Sequence, residues 1–204
     1  MAKQKNIKSV NNKRFIIKRE GVSILIIGTL LFIISYSLDN EVAEAFKNSK
    51  SIVLDPVLSV VANFGVDMVF LLLIPSIILY RKNRKAVELL LLTFLISFMV
   101  SFILKLVFLK QRPMETFVYP FTSMVSYSFP STHATVVFSL LPIIRKYISK
   151  NRMFFTWFSL LVVFTRIYFS FHFLTDVVFG SFLGYFIGSY MTELHEKGVL
   201  WKKI

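Results

Sequence analysis

Apolar residues in this chain gather into long blocks separated by short polar and basic clusters, and several blocks approach the roughly 20 residues a helix needs to cross a bilayer. The first, residues 21–38, reads GVSILIIGTLLFIISYSL. Ala43-Glu44-Ala45 downstream resembles a small-residue cleavage site. The apolar run nevertheless exceeds the usual signal-peptide core of roughly 7–15 residues, so it is read as a retained first helix. Asp39, Glu41 and Glu44 then outweigh Lys47 and Lys50 in an outer connecting segment. Asp55-Pro56 reads as an N-cap followed by proline at the first helical position, opening a short interfacial helix. Asp67 reads as a second cap, where helix 2 begins, and that helix runs to Tyr80. Helix 3 is expected over residues 87–109, helix 4 over 131–145 with Pro142 inside it, helix 5 from 153 and helix 6 over 176–191. Gly180, Gly184 and Gly188 recur every four residues in the last and make a small-residue stripe for close helix packing.

Composition agrees with the pattern. The chain is 55% hydrophobic and 16% aromatic, with mean hydropathy +0.67, far from an average soluble domain. The expected fold is all-α, a polytopic membrane protein built as a six-transmembrane-helix bundle. Residues 21–192 form the membrane domain between two cytoplasmic tails, 1–20 and 193–204. No cysteine is present, which excludes a disulfide framework and a thiolate metal site. A net charge of +13 in a soluble protein would suggest nucleic acid, yet 18 of the 24 basic residues lie in residues 1–20, 81–88, 145–152 and the tail after Met191. These segments alternate with segments poor in Lys and Arg, as cytoplasmic loops do. The charge therefore reads as topology, with both termini cytoplasmic, and not as a nucleic-acid footprint.

Two stretches carry the chemistry. Residues 165–176, TRIYFSFHFLTD, place an arginine, a histidine and an aspartate in an otherwise apolar run. Ionisable groups at membrane depth cost roughly 2.5–3.5 kcal/mol each on insertion scales, so they mark either a site or a buried polar cluster pinning helices together. On a helix, His172 and Asp176 share a face, where the carboxylate orients the imidazole and frees its other nitrogen to act as nucleophile or base. Arg166 lies about 9 Å below His172 at helical rise, and converges with it only if the side chain stretches or the helix breaks. The second stretch holds Lys105, Lys110 and Arg112-Pro113, an aromatic loop, and then Ser128-Phe-Pro-Ser-Thr-His133. Pro130-Ser131 reads as a helix start capped by Ser131, whose first turn offers free N–H groups to an anion. Each residue alone has an ordinary reading, as a snorkelling cation or a satisfied polar group. Lys105, Arg112, Ser131, His133, Arg166, His172 and Asp176 all fall, however, at the outer ends of helices 3 to 6.

Lys105-x6-Arg112-Pro113, Pro130-Ser-Thr-His133 and Thr165-Arg166-x5-His172-x3-Asp176 resemble, in order and spacing, the three signature motifs of the type 2 phosphatidic acid phosphatase superfamily. The resemblance covers helices 3 to 6 and points to the membrane branch. Thr132 stands where the family carries glycine, and Thr165 where it carries serine. The resemblance implies that Lys105, Arg112 and Arg166 clamp the phosphate oxygens, with Ser131, Thr132 and the helix 4 N–H groups. It implies that His172, held by Asp176, attacks phosphorus, and that His133 protonates the leaving oxygen and then activates water. No metal or cofactor is needed on this reading, since three cations supply the charge.

The expected substrate is a membrane lipid carrying a terminal phosphate or diphosphate, reached sideways through the bilayer at its outer face. The Phe- and Tyr-rich residues 114–129 favour a membrane interface over a polyhydroxylated sugar. Isoprenyl diphosphate and phosphatidic acid, or a related glycerolipid phosphate, both fit. An anion transporter or an inert lipid-phosphate binder are the competing classes. A conducting pathway, however, needs polar groups at several depths, whereas here they gather near one face.

Overall fold

The computed structural model describes residues 26–47, 49, 51–113 and 127–201. In chain order these form α1 (Ile26–Ser37), α2 (Asp39–Lys47), α3 (Leu54–Val61), α4 (Phe64–Tyr80), α5 (Arg84–Phe108), α6 (Thr132–Tyr147), α7 (Arg152–Tyr168) and α8 (Leu174–Glu196). No strand occurs among the described residues.

α5 shows how the chain meets its surroundings. Thr93, Ser97, Ser101 and Lys105, spaced four apart, are buried, while Leu91, Leu95, Met99, Ile103 and Val107 are exposed. A helix in water would show the reverse pattern. In lipid, hydrocarbon faces outward at little cost, and small polar side chains glue helices together. Ser97 bonds Ser139 of α6 at 2.9 Å, and Ser101 donates to Thr132 of α6 at 2.7 Å.

The tightest contact joins α6 to α8. A Cβ on Gly184 would stand 2.1 Å from the Thr135 carbonyl oxygen, and one on Gly188 2.0 Å from that of Ser139. At Gly180 the Ser131 carbonyl oxygen would lie 2.8 Å away. The glycine stripe thus lets α8 lie directly on the backbone of α6, as the four-residue repeat predicts. At the far ends of these helices Lys146 pairs with Glu196, and the charges of Lys146 and Lys85 both reach His195. The basic clusters beginning α5 and ending α6 therefore share one end of the bundle.

Four sequence expectations change. The acidic segment after α1 is helical: α2 continues from α1 across a 55° bend. The short helix near Pro56 exists, but it begins at Leu54 and Asp55 does not cap it. The Asp55 carboxylate accepts instead from Ser51 N and, at 2.7 Å, from the Tyr168 hydroxyl. Asp67 is not a cap either, because α4 begins three residues earlier, capped by Asn63, whose Oδ1 accepts from Gly65 N. The fifth helix stops at Tyr168.

Among the described residues one helix, α5, is long and apolar enough to cross a membrane, or up to three if the bent pairs α1–α2 and α3–α4 each count as one span. Residues 1–25 and 114–126, which hold the basic N-terminal tail and most of the aromatic loop, lie outside the described residues, as do 202–204 in the C-terminal tail.

Candidate active site

α7 delivers Arg166 in its last turn and then breaks. Ser170 takes a left-handed φ of 52°, and the amides of Phe171 and His172 both donate to the Arg166 carbonyl, at 3.0 and 3.2 Å. The chain folds back over its own helix end and brings His172 close to Arg166 in space. His172 and Asp176 consequently do not share one helix: His172 sits in the turn, and Asp176 is the third residue of α8. They still meet, with His172 Nδ1 3.8 Å from Asp176 Oδ2. Ser128 Oγ donates to that same Oδ2 and lies 3.5 Å from Nδ1, so it sits beside both groups.

Asp176 is fully buried and closely held. Oδ2 also accepts from Phe173 N at 2.8 Å, closing the start of α8, and Oδ1 accepts from Lys110 Nζ at 2.9 Å. Lys110 also donates to Asp39 Oδ2 at 3.1 Å and to Thr175 Oγ1 at 3.0 Å, while Asp39 Oδ1 accepts from Thr175 N at 2.8 Å. Asp39, Lys110 and Ser128 thus support the pair as a network. Sequence reasoning missed all three roles, since their partners stand 136, 66 and 48 residues away.

The cations fill in around this pair. Lys105, one turn beyond Ser101 on α5, is buried and donates to the carbonyls of Tyr127 (2.7 Å) and Ser128 (3.3 Å). Arg112 is half-buried and donates from Nη1 to the Phe171 carbonyl at 3.1 Å. Arg166 Nη1 lies 3.1 Å from His133 Nε2. Lys105, Arg112, Arg166 and His172 all act electrostatically on His133, and Lys105 and Arg112 on His172. The motif residues therefore form one electrostatic cluster.

At the start of α6, Ser131 is the N-cap, its Oγ 3.5 Å from Ala134 N. Its own N–H is not free, because it donates to the Asp176 carbonyl at 3.1 Å. The amides of Thr132 and His133 remain as the donors of that first turn. Thr132, in the glycine position of the motif, accepts from Ser101 through its hydroxyl, so its side chain is tied to α5.

A second element reaches the cluster that sequence reasoning did not place there. The loop and first turn of α4 bring the Ala62 carbonyl to Arg166 Nη2, the Phe64 ring edge-on to His133 at 4.9 Å between centroids, and Asp67 Oδ2 to 3.9 Å from His133 Nε2.

His172 lies in the turn between helices, where burial holds its pKa down at about 3, helped by Lys105 and Arg112 and opposed by Asp176. Its resting imidazole is therefore neutral at physiological pH, as a nucleophile must be. Among the described residues no three His, Asp or Glu side chains are grouped to hold a metal ion. Convergent cations with two imidazoles form a site suited to a phosphate or another tetrahedral oxyanion.

Comparison with known proteins agrees. The sequence profile of the PAP2 superfamily matches residues 86–199. No curated protein matches the chain. Two solved structures share the fold. One is the first transmembrane PAP2 type phosphatidylglycerolphosphate phosphatase from Bacillus subtilis, 21% identical, with TM-score 0.66 over 89% of this chain and 98% of that one. The other is LpxE from Aquifex aeolicus, 21% identical, with TM-score 0.60 over 76% and 95%.

Proposed function

The chain belongs to the PAP2 superfamily, and we propose that it is a membrane-embedded phosphatase hydrolysing a lipid phosphate or isoprenyl diphosphate through a phosphohistidine. The observation that carries this reading is the cluster itself: Lys105, Arg112 and Arg166 act with two imidazoles, one of them backed by a buried carboxylate. The similarity to a solved phosphatidylglycerolphosphate phosphatase supports a lipid substrate.

The three cations and the α6 amides bind the phosphate oxygens and stabilise charge as the phosphoryl group moves in line. With Nδ1 facing Asp176 and Ser128, Nε2 of His172 is the attacking atom. A P–N bond forms while the P–O bond to the lipid breaks, and the departing oxygen takes its electron pair and a proton from His133. Water then attacks phosphorus, gives a proton to His133, and the P–N electron pair returns to His172. No metal enters either step.

Phosphate release from isoprenyl diphosphate, phosphatidate and glucose 6-phosphate in mixed micelles tests the assignment. Both lipids should be turned over faster than the sugar, in excess chelator, and vanadate should block the reaction. A preference for glucose 6-phosphate, or a magnesium requirement that the substrate does not explain, would refute it.

The bundle is proposed to cross the membrane six times, with the basic end cytoplasmic and the site on the other side. The alternation of basic and base-poor segments supports this arrangement. Single cysteines at Lys47 or Thr122 should react with an impermeant thiol reagent from the extracytoplasmic side. Labelling from the cytoplasmic side alone would overturn the topology.

A further inference from the structure

Asp67 needs an explanation that its own helix does not supply. None of its surface is exposed, and neither carboxylate oxygen has a hydrogen-bond partner among the described residues. Burying an unpaired carboxylate is costly, and natural cores avoid it unless something is gained. Two groups of the phosphate cluster face it. His133 Nε2 is 3.9 Å from Oδ2, and the Arg166 charge acts on it directly. Asp67 lies before residue 86, outside the stretch that matches the superfamily profile.

The neighbouring contacts make the arrangement directional. Arg166 Nη1 sits 3.1 Å from His133 Nε2 and Nη2 donates to the Ala62 carbonyl, while the Phe64 ring packs on the imidazole. The segment from Ala62 to Asp67 thus grips Arg166 and the Nε2 edge of His133 together. The Asp67 carboxylate is the acceptor that this segment brings to the Nε2 edge of His133.

We propose that Asp67 is a positioning residue for the reaction: once Arg166 turns toward a bound phosphate, it fixes His133 with Nε2–H toward the carboxylate and Nδ1 toward the leaving oxygen, and it stabilises the imidazolium that gives up its proton in the first step and is restored in the second. This rests on the phosphatase reading above. Asp67 touches no reacting atom, and it acts only through His133. In the first step the Nδ1–H bond breaks as the oxygen leaves. In the second, water restores that proton. Asp67 gains none, and its negative charge holds the ring while it is cationic, before the first step and after the second.

The test separates proton donation from general damage. A long-chain alkyl phosphate needs its leaving oxygen protonated, whereas a nitrophenyl phosphate bearing the same chain does not, and kcat/KM reports only the steps through leaving-group departure. Asp67→Asn should lower kcat/KM for the alkyl ester by about 10²-fold, the lower range of general acid–base contributions, and for the aryl ester by less than about threefold on the same basis. His133→Ala should show the same selectivity, and adding Asp67→Asn to it should cost nothing further. Asp67→Ala provides a second variant if the asparagine protein does not fold. Equal losses on both esters, or an additive loss in the double variant, would overturn the proposal. Wild-type protein inert toward both esters would instead sink the phosphatase reading on which it stands.

Discussion

Replacing His172 with alanine is expected to abolish turnover, by more than about 10³-fold, while leaving the protein folded in detergent. The scale follows from losing a nucleophile, which the remaining groups cannot replace. Folding should survive because, among the described residues, the imidazole's side-chain polar contacts are long, Nδ1 standing 3.5 Å from Ser128 Oγ and 3.8 Å from Asp176 Oδ2, and Asp176 keeps Ser128, Lys110 and Phe173 N without it. Asp176→Asn should slow the enzyme strongly but less completely, since the nucleophile remains and only its orientation and countercharge are lost. It should also lower thermal stability, because Lys110 and Ser128 lose a shared partner. Gel filtration and melting in detergent beside phosphate release check both variants. Near-normal turnover by His172→Ala would end the phosphohistidine mechanism.

The largest structural effect is expected at Gly184. Its missing Cβ would lie 2.1 Å from the Thr135 carbonyl oxygen and 2.8 Å from that carbonyl carbon, and backbone cannot step aside as a side chain can. Gly184→Val should therefore separate α8 from α6 and destabilise the protein by about 3 kcal/mol or more, at or beyond the upper end of usual overpacking costs. Turnover should fall with it, because α6 begins with Ser131 and His133 while α8 carries Asp176, and the Ser131 amide is bonded to the Asp176 carbonyl across this seam. Gly28→Ala is the control, since the atoms nearest its Cβ would be those of the Phe182 ring, from 3.3 Å, a side chain and not backbone. Its melting temperature should stay near wild type. A Gly184→Val protein as stable as Gly28→Ala would contradict the direct backbone packing.

Helix positions are legible because apolar blocks and basic clusters alternate so plainly, and the clustered motif residues because imidazole, guanidinium and carboxylate stand out in an apolar setting. What escaped reading depends on contacts distant in sequence or on local geometry without a signal. TRIYFSFHFLTD contains neither glycine nor proline, yet the chain breaks there, with Ser170 taking the left-handed conformation. The break joins Arg166 to His172, which an unbroken helix would hold about 9 Å apart. Asp39 looked like an outer-loop charge and Asp67 like a cap. Both are buried against residues from other helices, and no local pattern distinguishes a carboxylate that caps from one that faces a distant imidazole. The helical state of α2 escapes for a similar reason. Its acidic residues suggest solvent, while its helix is set by Asp39 meeting Thr175 and by Phe46 packing on Phe164 and Tyr168.

The most direct test of the account is to find the phosphoryl group on the enzyme. With His133→Ala, an aryl phosphate whose leaving group needs no proton should still transfer its phosphoryl group, and the second step should stall without a base to activate water. Protein quenched in alkali, where phosphohistidine is stable, should then carry phosphate on His172 by mass spectrometry and lose it in acid. Sustained hydrolysis by the wild-type protein, with His172 unmodified in both proteins or the phosphate on another residue, would contradict covalent transfer through His172.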